Sequence, residues 1–292
     1  MARPAAADAR PLVSIVMPSF NQGEFIADGI DSVLSQNYPR IEFMVMDGGS
    51  TDSTIDVLRG YGDRIRWRSG PDGGQSDAIH RGFLAATGKY LAWLNSDDRY
   101  VPGAIGAAVD ALEADPSAAL LYAGGEFIDR DGAVIGPCLQ IEPWSLETML
   151  STVNFVLQPA TLFRRDAYLA VGGLDLGLHY CMDYDLWIRL GSAYTVAYMP
   201  TVMAQARAYG ETKSSTGGLA RLEEMERVIR RHGGRGLPKS YRREMYLELR
   251  GALAAAVKGR RLRRAARLAA RITPYAGGAA MWRLRRLTQG RY

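Results

Sequence analysis

Cysteine is nearly absent from these 292 residues. Cys138 and Cys181 are too few and too far apart for a metal knuckle or a disulfide framework, which favours a reducing compartment. Long apolar runs are missing too: none approaches the roughly 18 residues that a membrane-spanning helix needs. Residues 1–11 hold Arg3, Asp8 and Arg10 among alanines with no apolar h-region, so they read as a disordered leader and not as a signal peptide. The expectation is a cytoplasmic chain. No Gly-rich phosphate fingerprint is present, because Gly48-Gly49 and Gly73-Gly74 read as turns. Acidic residues vanish altogether from Leu249 to Tyr292, where 12 basic side chains stand unopposed.

What is present is an ordinary globular composition, 47% hydrophobic and 23% charged, with chain enough for a sizeable core. The net charge of +5 hides a split. Residues 1–220 carry 16 basic and 26 acidic side chains, and residues 221–292 carry 20 and 5. An asymmetry of that size points to a tail with an anionic partner.

Residues 12–98 alternate. Apolar strands are expected at Leu12–Pro18, Ile41–Met46, Arg64–Arg68 and Tyr90–Leu94, separated by helical spacing over Glu24–Gln36, from Thr51-Asp-Ser-Thr54 and over Ser76–Ala86. Strand-helix alternation predicts an α/β fold with a doubly wound, mostly parallel sheet. Each strand stops on a polar cluster: Ser19 and Asn21, Asp47, Asp72, then Asp97 and Asp98. Parallel strands align those clusters on one edge, where open α/β sheets bind ligands.

The sharpest of these exits is Gly88-Lys-Tyr-Leu-Ala-Trp-Leu-Asn-Ser-Asp-Asp98. An apolar strand ends there on an amide, a hydroxyl and two carboxylates, hard oxygen ligands suited to Mg²⁺ or Mn²⁺. A divalent ion on one or two carboxylates commonly accompanies a diphosphate. The competing reading is a polar turn, since Asp and Asn close many strands without any ligand.

Beyond Asp98 an α+β half is expected. It has a helix over Pro102–Ala114, a strand over Ala118–Ala123, a hairpin around Asp131-Gly132 and a short helix over Pro143–Leu150. A strand over Gln158–Phe163, a helix over Arg165–Val171, a helix from Asp183 and a strand over Tyr194–Met199 complete it. From Leu219 the chain turns helical and basic, with Lys258–Thr273 amphipathic and Met281–Leu287 repeating its basic-apolar character.

Six stretches, in order, resemble the family 2 glycosyltransferases of GT-A fold. They are Val13-Ser-Ile-Val-Met-Pro-Ser-Phe-Asn-Gln22, Ser32-Val-Leu-Ser-Gln-Asn-Tyr-Pro39, Met46-Asp-Gly-Gly-Ser-Thr-Asp-Ser-Thr54, Asp72-Gly-Gly-Gln-Ser-Asp-Ala78, Ala92-Trp-Leu-Asn-Ser-Asp-Asp98 and Met182-Asp-Tyr-Asp-Leu-Trp-Ile-Arg189. The resemblance covers about residues 12–210 and implies inverting transfer of a sugar from a nucleotide diphosphate-sugar to an acceptor hydroxyl. It puts Pro18, Ser19 and Phe20 beside the base and Asp47 in a hydrogen bond to it. Asp72 and Asp77 come by the donor pocket. Asp97 takes the last position of an Asp-x-Asp metal motif whose first position is here Asn95, a weaker neutral ligand; Ser96 stands between them and Asp98 is a further candidate for the Mn²⁺ or Mg²⁺. Asp183 matches the acidic base. The implied domains are a GT-A domain over 12–215, with a nucleotide-sugar half to residue 100 and an acceptor half from 101, and a helical basic extension over 216–292.

Other side chains have plain readings. Asp185 serves as a helix cap or an Arg189 partner, and Trp93 and Trp187 as core. Trp144 is the better stacking candidate for an acceptor. Gln158 is either a ligand contact or a buried hydrogen bond, and His80 has no assigned role. The tail over 249–292 has three readings: helices packed on the catalytic domain, peripheral attachment to the anionic inner face of a membrane, and nucleic-acid binding, the last unsupported by any recognition motif. The expected partners are a nucleotide-sugar donor and a saccharide or lipid-linked acceptor in cell-surface glycan synthesis. The rivals are a sugar nucleotidyltransferase, whose Gly-rich activating loop is absent, and an inactive nucleotide-sugar-binding subunit, against which Asp47, Asp97 and Asp183 argue.

Overall fold

The computed structural model describes residues 10–138 and 142–275. Most of the leader expected over 1–11, and the basic-apolar stretch Met281–Leu287, lie outside them. Arg10 and Pro11 are tied down: Arg10 pairs with Asp110, and the Pro11 carbonyl accepts from Tyr38 Oη at 2.5 Å.

The first half alternates as the spacing requires. Strand β1 (Val13–Ser19) leads to helix α1 (Ile26–Leu34), β2 (Ile41–Asp47) to α2 (Thr54–Tyr61), and β3 (Arg66–Ser69) to α3 (Gln75–Ala85), followed by β4 (Tyr90–Trp93). Next come β5 (Arg99–Tyr100), α4 (Ala104–Ala114), β6 (Ala118–Ile128), β7 (Val134–Pro137), α5 (Leu146–Ser151), β8 (Thr161–Arg164), α6 (Arg165–Ala170), α7 (Met182–Ala193) and β9 (Thr195–Arg207). Helices α8 (Lys213–Thr216), α9 (Gly218–Arg231), α10 (Lys239–Lys258) and α11 (Leu262–Ile272) follow.

One sheet runs in the order β3-β2-β1-β4-β8-β6-β9-β5, with β7 paired to β6. β3, β2, β1 and β4 are parallel, and β8 runs against both β4 and β6. That double reversal returns β6 and β9 to the direction of β1, so their carboxyl ends reach the same edge as those of β2 and β4. β1 and β4 are buried along their whole length, which matches their unbroken apolar runs.

Three strand expectations needed revision. Gln158–Ala160 is a 3₁₀ turn, with β8 starting only at Thr161; Pro159 has no amide hydrogen for a ladder. The strand expected to stop at Met199 continues to Arg207. Met199 pairs with Ala123 and Val202 with Gly124, so Pro200 and Thr201 bulge out of register. The two-residue β5 was not foreseen.

The described chain divides into two compact units: residues up to Leu146 with Phe155–Thr212, and Glu147–Asn154 with the chain from Lys213 on. The first carries the sheet. Its core holds Val13, Ile15, Met17, Ile26, Ile30, Leu91 and Trp93, and Trp93 stacks on Trp187 with ring centroids 5.4 Å apart. The second is helical and buries Leu222, Met225, Val228 and Ile229 of α9, Met245 and Leu249 of α10, and Leu268 and Ile272 of α11.

Candidate active site

The site is built where parallel strands end. Register sets Ser19 of β1 beside Asp47 of β2, and Asp47 beside Ser69 of β3. Asp47 is buried and fully engaged. Its Oδ2 accepts from the Gly49 and Ser50 amides (3.0 and 2.9 Å) and from Ser69 Oγ (2.6 Å), and its Oδ1 accepts from Ser50 Oγ. Pro18 is buried, Phe20 is exposed, and Ser19 Oγ is buried without a hydrogen-bond partner among the described residues. A buried hydroxyl left so is the kind of group a ligand satisfies. A cleft of about 150 Å³ opens beside Asp47, lined by it and by Arg68, Ser69, Asp72 and Arg81 among others, with Pro18, Ser19 and Phe20 outside its lining. Asp72 Oδ1 holds the Gly74 amide at 2.8 Å. Its Oδ2 crowds Gly48 so closely that a Cβ there would meet it at 3.0 Å. Asp77 accepts from the Gly73 amide (2.8 Å) and pairs with Arg81 (2.7 Å).

The exit of β4 is the second cluster. Asn95 closes a turn, its carbonyl accepting from the Asp98 amide at 3.1 Å. Ser96 Oγ donates to the Pro18 carbonyl at 2.5 Å and clips this exit to β1. Asn95 is spoken for on both sides of its amide: Oδ1 accepts from Gln75 at 2.8 Å, while Nδ2 donates to Asp98 Oδ2 and to Gln158 Oε1. Gln158 in turn donates to the Trp93 carbonyl at 2.8 Å, a buried hydrogen bond of the kind the sequence allowed. Asp98 is 6% exposed, and its other oxygen accepts from the Arg207 amide at 3.0 Å. Asp97 is half-buried and accepts from Tyr209 Oη through Oδ2 at 3.0 Å. Burial raises the pKa of both carboxyls above the usual range, most strongly for Asp98, which also feels the charge of Asp97. For Asp97 the Tyr209 hydrogen bond and the Arg207 charge work the other way.

Arg207 and Tyr209 escaped the sequence reading because the second half of β9 did. Arg207 is almost wholly buried. It donates to the carbonyls of Asp97, Asp129 and Arg130 at 2.8–3.0 Å and to Asp28 at 2.7 Å, and its guanidinium lies 4.8 Å from the Phe25 ring centre. The signal was there in the Met203-Ala-Gln-Ala-Arg207 alternation, masked by Pro200.

Asp183 stands in the first turn of α7, half-buried, with Oδ1 accepting the Tyr184 amide at 2.7 Å. The loop before α7 hangs on α3, where Ser76 Oγ donates to the Leu178 carbonyl at 2.8 Å. Asp185 is buried and paired with Arg189 at 2.7 Å, as read. His80 Nδ1 meets Tyr168 Oη at 2.9 Å. Trp144 packs edge-on to Tyr122 and Phe155 and against Gly191, where a Cβ would lie 2.0 Å from its ring.

The comparisons with known proteins converge here. A family model described as "Glycosyl transferase family 2" matches residues 14–167. The chain is a member of glycosyltransferase family 2. Among its family 2 relatives is the uncharacterized glycosyltransferase RP339 of Rickettsia prowazekii (strain Madrid E), 31% identical over 227 residues, covering 74% of this chain and 70% of the relative. Among solved structures, S. aureus TarS 1–349 in complex with UDP-GlcNAc superposes with a TM-score of 0.62 at 15% identity, over 82% of this chain and 71% of that one. The mannosyltransferase PcManGT of Pyrobaculum calidifontis, in complex with GDP-Man and Mn²⁺, gives 0.61 at 18% identity, over 98% and 89%. The family 2 fold of this chain is therefore GT-A, and the protein is a glycosyltransferase.

The donor set suits a divalent ion that arrives with phosphates better than a resident one. Among the described residues no group of three His, Cys, Asp or Glu side chains converges. Both Asp98 oxygens are engaged, by Asn95 and by the Arg207 amide, whereas Asp97 is half-buried with Tyr209 on Oδ2, so of the two carboxylates Asp97 fits a cation better. One carboxylate is what Mg²⁺ or Mn²⁺ commonly takes from protein when phosphates and water complete its shell.

Proposed function

We propose that this glycosyltransferase takes its sugar from a nucleotide diphosphate-sugar and passes it, with inversion, to an acceptor hydroxyl. The observation that carries the reading is the row of adjacent exits of β2, β1 and β4, which sets Asp47, in the wall of a cleft, on one edge with Asp97 and with Ser19 Oγ, which has no partner among the described residues. In this reading Pro18, Ser19, Phe20, Asp47, Asp72 and Asp77 form the nucleotide side. Asn95 and Ser96 shape the turn that presents Asp97, and Asp97 holds the divalent ion. When bound, that ion supplies Lewis-acid neutralisation of the diphosphate leaving group. The UDP-GlcNAc and GDP-Man complexes of the two structural neighbours support the donor class, and the Mn²⁺ of the second supports the metal.

Asp183 is the base. Its carboxylate takes the acceptor hydroxyl proton as the oxygen bonds to the anomeric carbon, and the electron pair of the breaking bond leaves on the diphosphate. A positioned carboxylate contributes about 10²–10⁴-fold to such a step. No covalent intermediate is needed, so one base suffices. We place the reaction in cell-surface polysaccharide or lipid-linked glycan synthesis, a setting that the basic extension fits.

A thermal-shift screen of UDP, GDP and dTDP with and without Mn²⁺ tests the donor half. One nucleotide should raise the melting temperature selectively and more strongly with the metal, since a ligand at 100-fold its Kd adds about 2.7 kcal/mol of apparent stability. A response to none of the three would defeat the proposal. Slow hydrolysis of the matching nucleotide-sugar separates an enzyme from an inactive binding subunit.

A further inference from the structure

The helical unit carries a surface that donor chemistry leaves unused. Along α10, residues Arg243, Leu247, Arg250, Ala254 and Val257 recur at spacings of four and three, Lys258 follows Val257 directly, and all six are exposed. They lie opposite the stripe of Met245, Leu249 and Ala256 that α10 buries. The link to α11 continues the pattern with Arg260, Arg261 and Leu262, the last 76% exposed. On α11 itself Ala265, Leu268 and Ile272 turn inward, and Arg263, Arg264 and Arg267 are exposed. Arg243, Arg250, Lys258, Arg263, Arg264 and Arg267 enter none of the ion pairs among the described residues, whereas Arg271 is neutralised by Glu223 at 2.6 Å. From Arg250 to Ile272 there are eight basic side chains and no acid.

We infer that this face of α10 and α11 is an attachment surface for an anionic lipid bilayer. Charge complementarity alone would admit any polyanion. The aliphatic side chains decide the occupant: Leu247, Val257 and Leu262 are 51%, 57% and 76% exposed among the arginines. Such a mixture suits the headgroup boundary, where apolar groups enter the acyl region and basic groups stay with lipid phosphates. A nucleic-acid backbone offers those aliphatics nothing. No helix of the described residues is long and apolar enough to cross a membrane.

The test is co-sedimentation of the full chain with vesicles of phosphatidylcholine alone and of phosphatidylcholine mixed three to one with phosphatidylglycerol. Binding should require the anionic lipid and fall with added salt. Each arginine near an anionic surface adds several-fold to partitioning, so Arg250→Gln/Arg263→Gln/Arg267→Gln should weaken it by at least about tenfold. Leu247→Ser/Val257→Ser/Leu262→Ser should weaken it while leaving the charge unchanged. Melting temperature and far-ultraviolet circular dichroism should stay at the parent values in both, because every substituted side chain is exposed. The salt titration needs no variant and keeps the test alive if one misfolds. Equal binding to the two vesicle types, binding to neither, unchanged binding by both triple variants, or tighter binding to a short duplex DNA or RNA than to the anionic vesicles would overturn the inference.

Discussion

The proposed function gives the neighbouring carboxylates at the end of β4 opposite tasks, and single substitutions should separate them. Asp98 accepts from the Arg207 amide and from Asn95, so Asp98→Ala strands the buried Arg207 amide and takes one of the two acceptors of Asn95 Nδ2. The expected cost is about 1–3 kcal/mol per unsatisfied group, read as a lower urea midpoint. Asp97→Asn keeps an oxygen for Tyr209 but loses the charge that, in the proposed function, would meet the metal. It should leave the unfolding free energy within about 1 kcal/mol of the parent and cut Mn²⁺-dependent transfer by roughly 10²–10³, the worth of a few kcal/mol at the transition state. The reverse pattern would exchange the two assignments. Asp183→Asn should lower kcat by about 10²–10⁴ with donor affinity nearly unchanged. Asp47 and Asp97 stood out as candidates because they close apolar strands, whereas Asp183 came only from the family resemblance, its place at a helix start being one that carboxylates favour anyway. That Asn95 and Asp98 are held by the fold could not be read, since their partners Gln75, Gln158 and Arg207 are distant in sequence.

At the scale of elements, Glu42 of β2 joins three segments. It accepts from Ser14 Oγ of β1 at 2.5 Å and from the Thr87 amide ahead of β4 at 2.9 Å, and Ser14 Oγ accepts from the Gly88 amide at 2.9 Å. Burial works against its charge, yet the hydrogen bonds from Ser14 and Thr87 and the nearby Arg66 prevail, and its pKa lies below the ordinary value. A lowered folded-state pKa stabilises above the unfolded value of about 4.3 and loses that contribution as pH falls through the folded one. The gap in melting temperature between the parent and Glu42→Gln should therefore be widest near neutrality and close progressively as pH falls below the unfolded value. A gap independent of pH would refute the linkage. α3 crosses β1 at Gly82, where a Cβ would lie 2.6 Å from Val16 Cγ1. Gly82→Ala should still destabilise, by about 1–3 kcal/mol of overpacking, despite the better helix former. The alternation that foretold these elements is local, and it was read within a few residues. β5 and the far half of β9 were missed because a two-residue strand has no period and a Pro inside a strand argues against one.

Across the whole molecule, the division of the chain is less simple than its charge. The shift from acidic to basic near residue 220 marks the helical unit, yet that unit also recruits Glu147–Asn154 from far upstream. The reason is packing. Met149 is fully buried, Ser240 Oγ donates to the Thr152 carbonyl at 2.6 Å, and Gly234 approaches so closely that a Cβ there would meet the Leu150 carbonyl at 3.4 Å. Composition announces a tail but carries no trace of an eight-residue guest, whose own sequence is unremarkable and whose partners come long after it. A chain ending at Thr212 should consequently leave 147–154 without its packing partners. Limited proteolysis of that truncation should cut within 147–154 at least about tenfold faster than in the full chain, because cleavage follows the population of the open segment and about 1.4 kcal/mol of lost local stability is tenfold. Cleavage that starts instead at the Asp129–Gly132 turn, with 147–154 as resistant as before, would mean that the segment is held by the sheet unit and that the division belongs elsewhere.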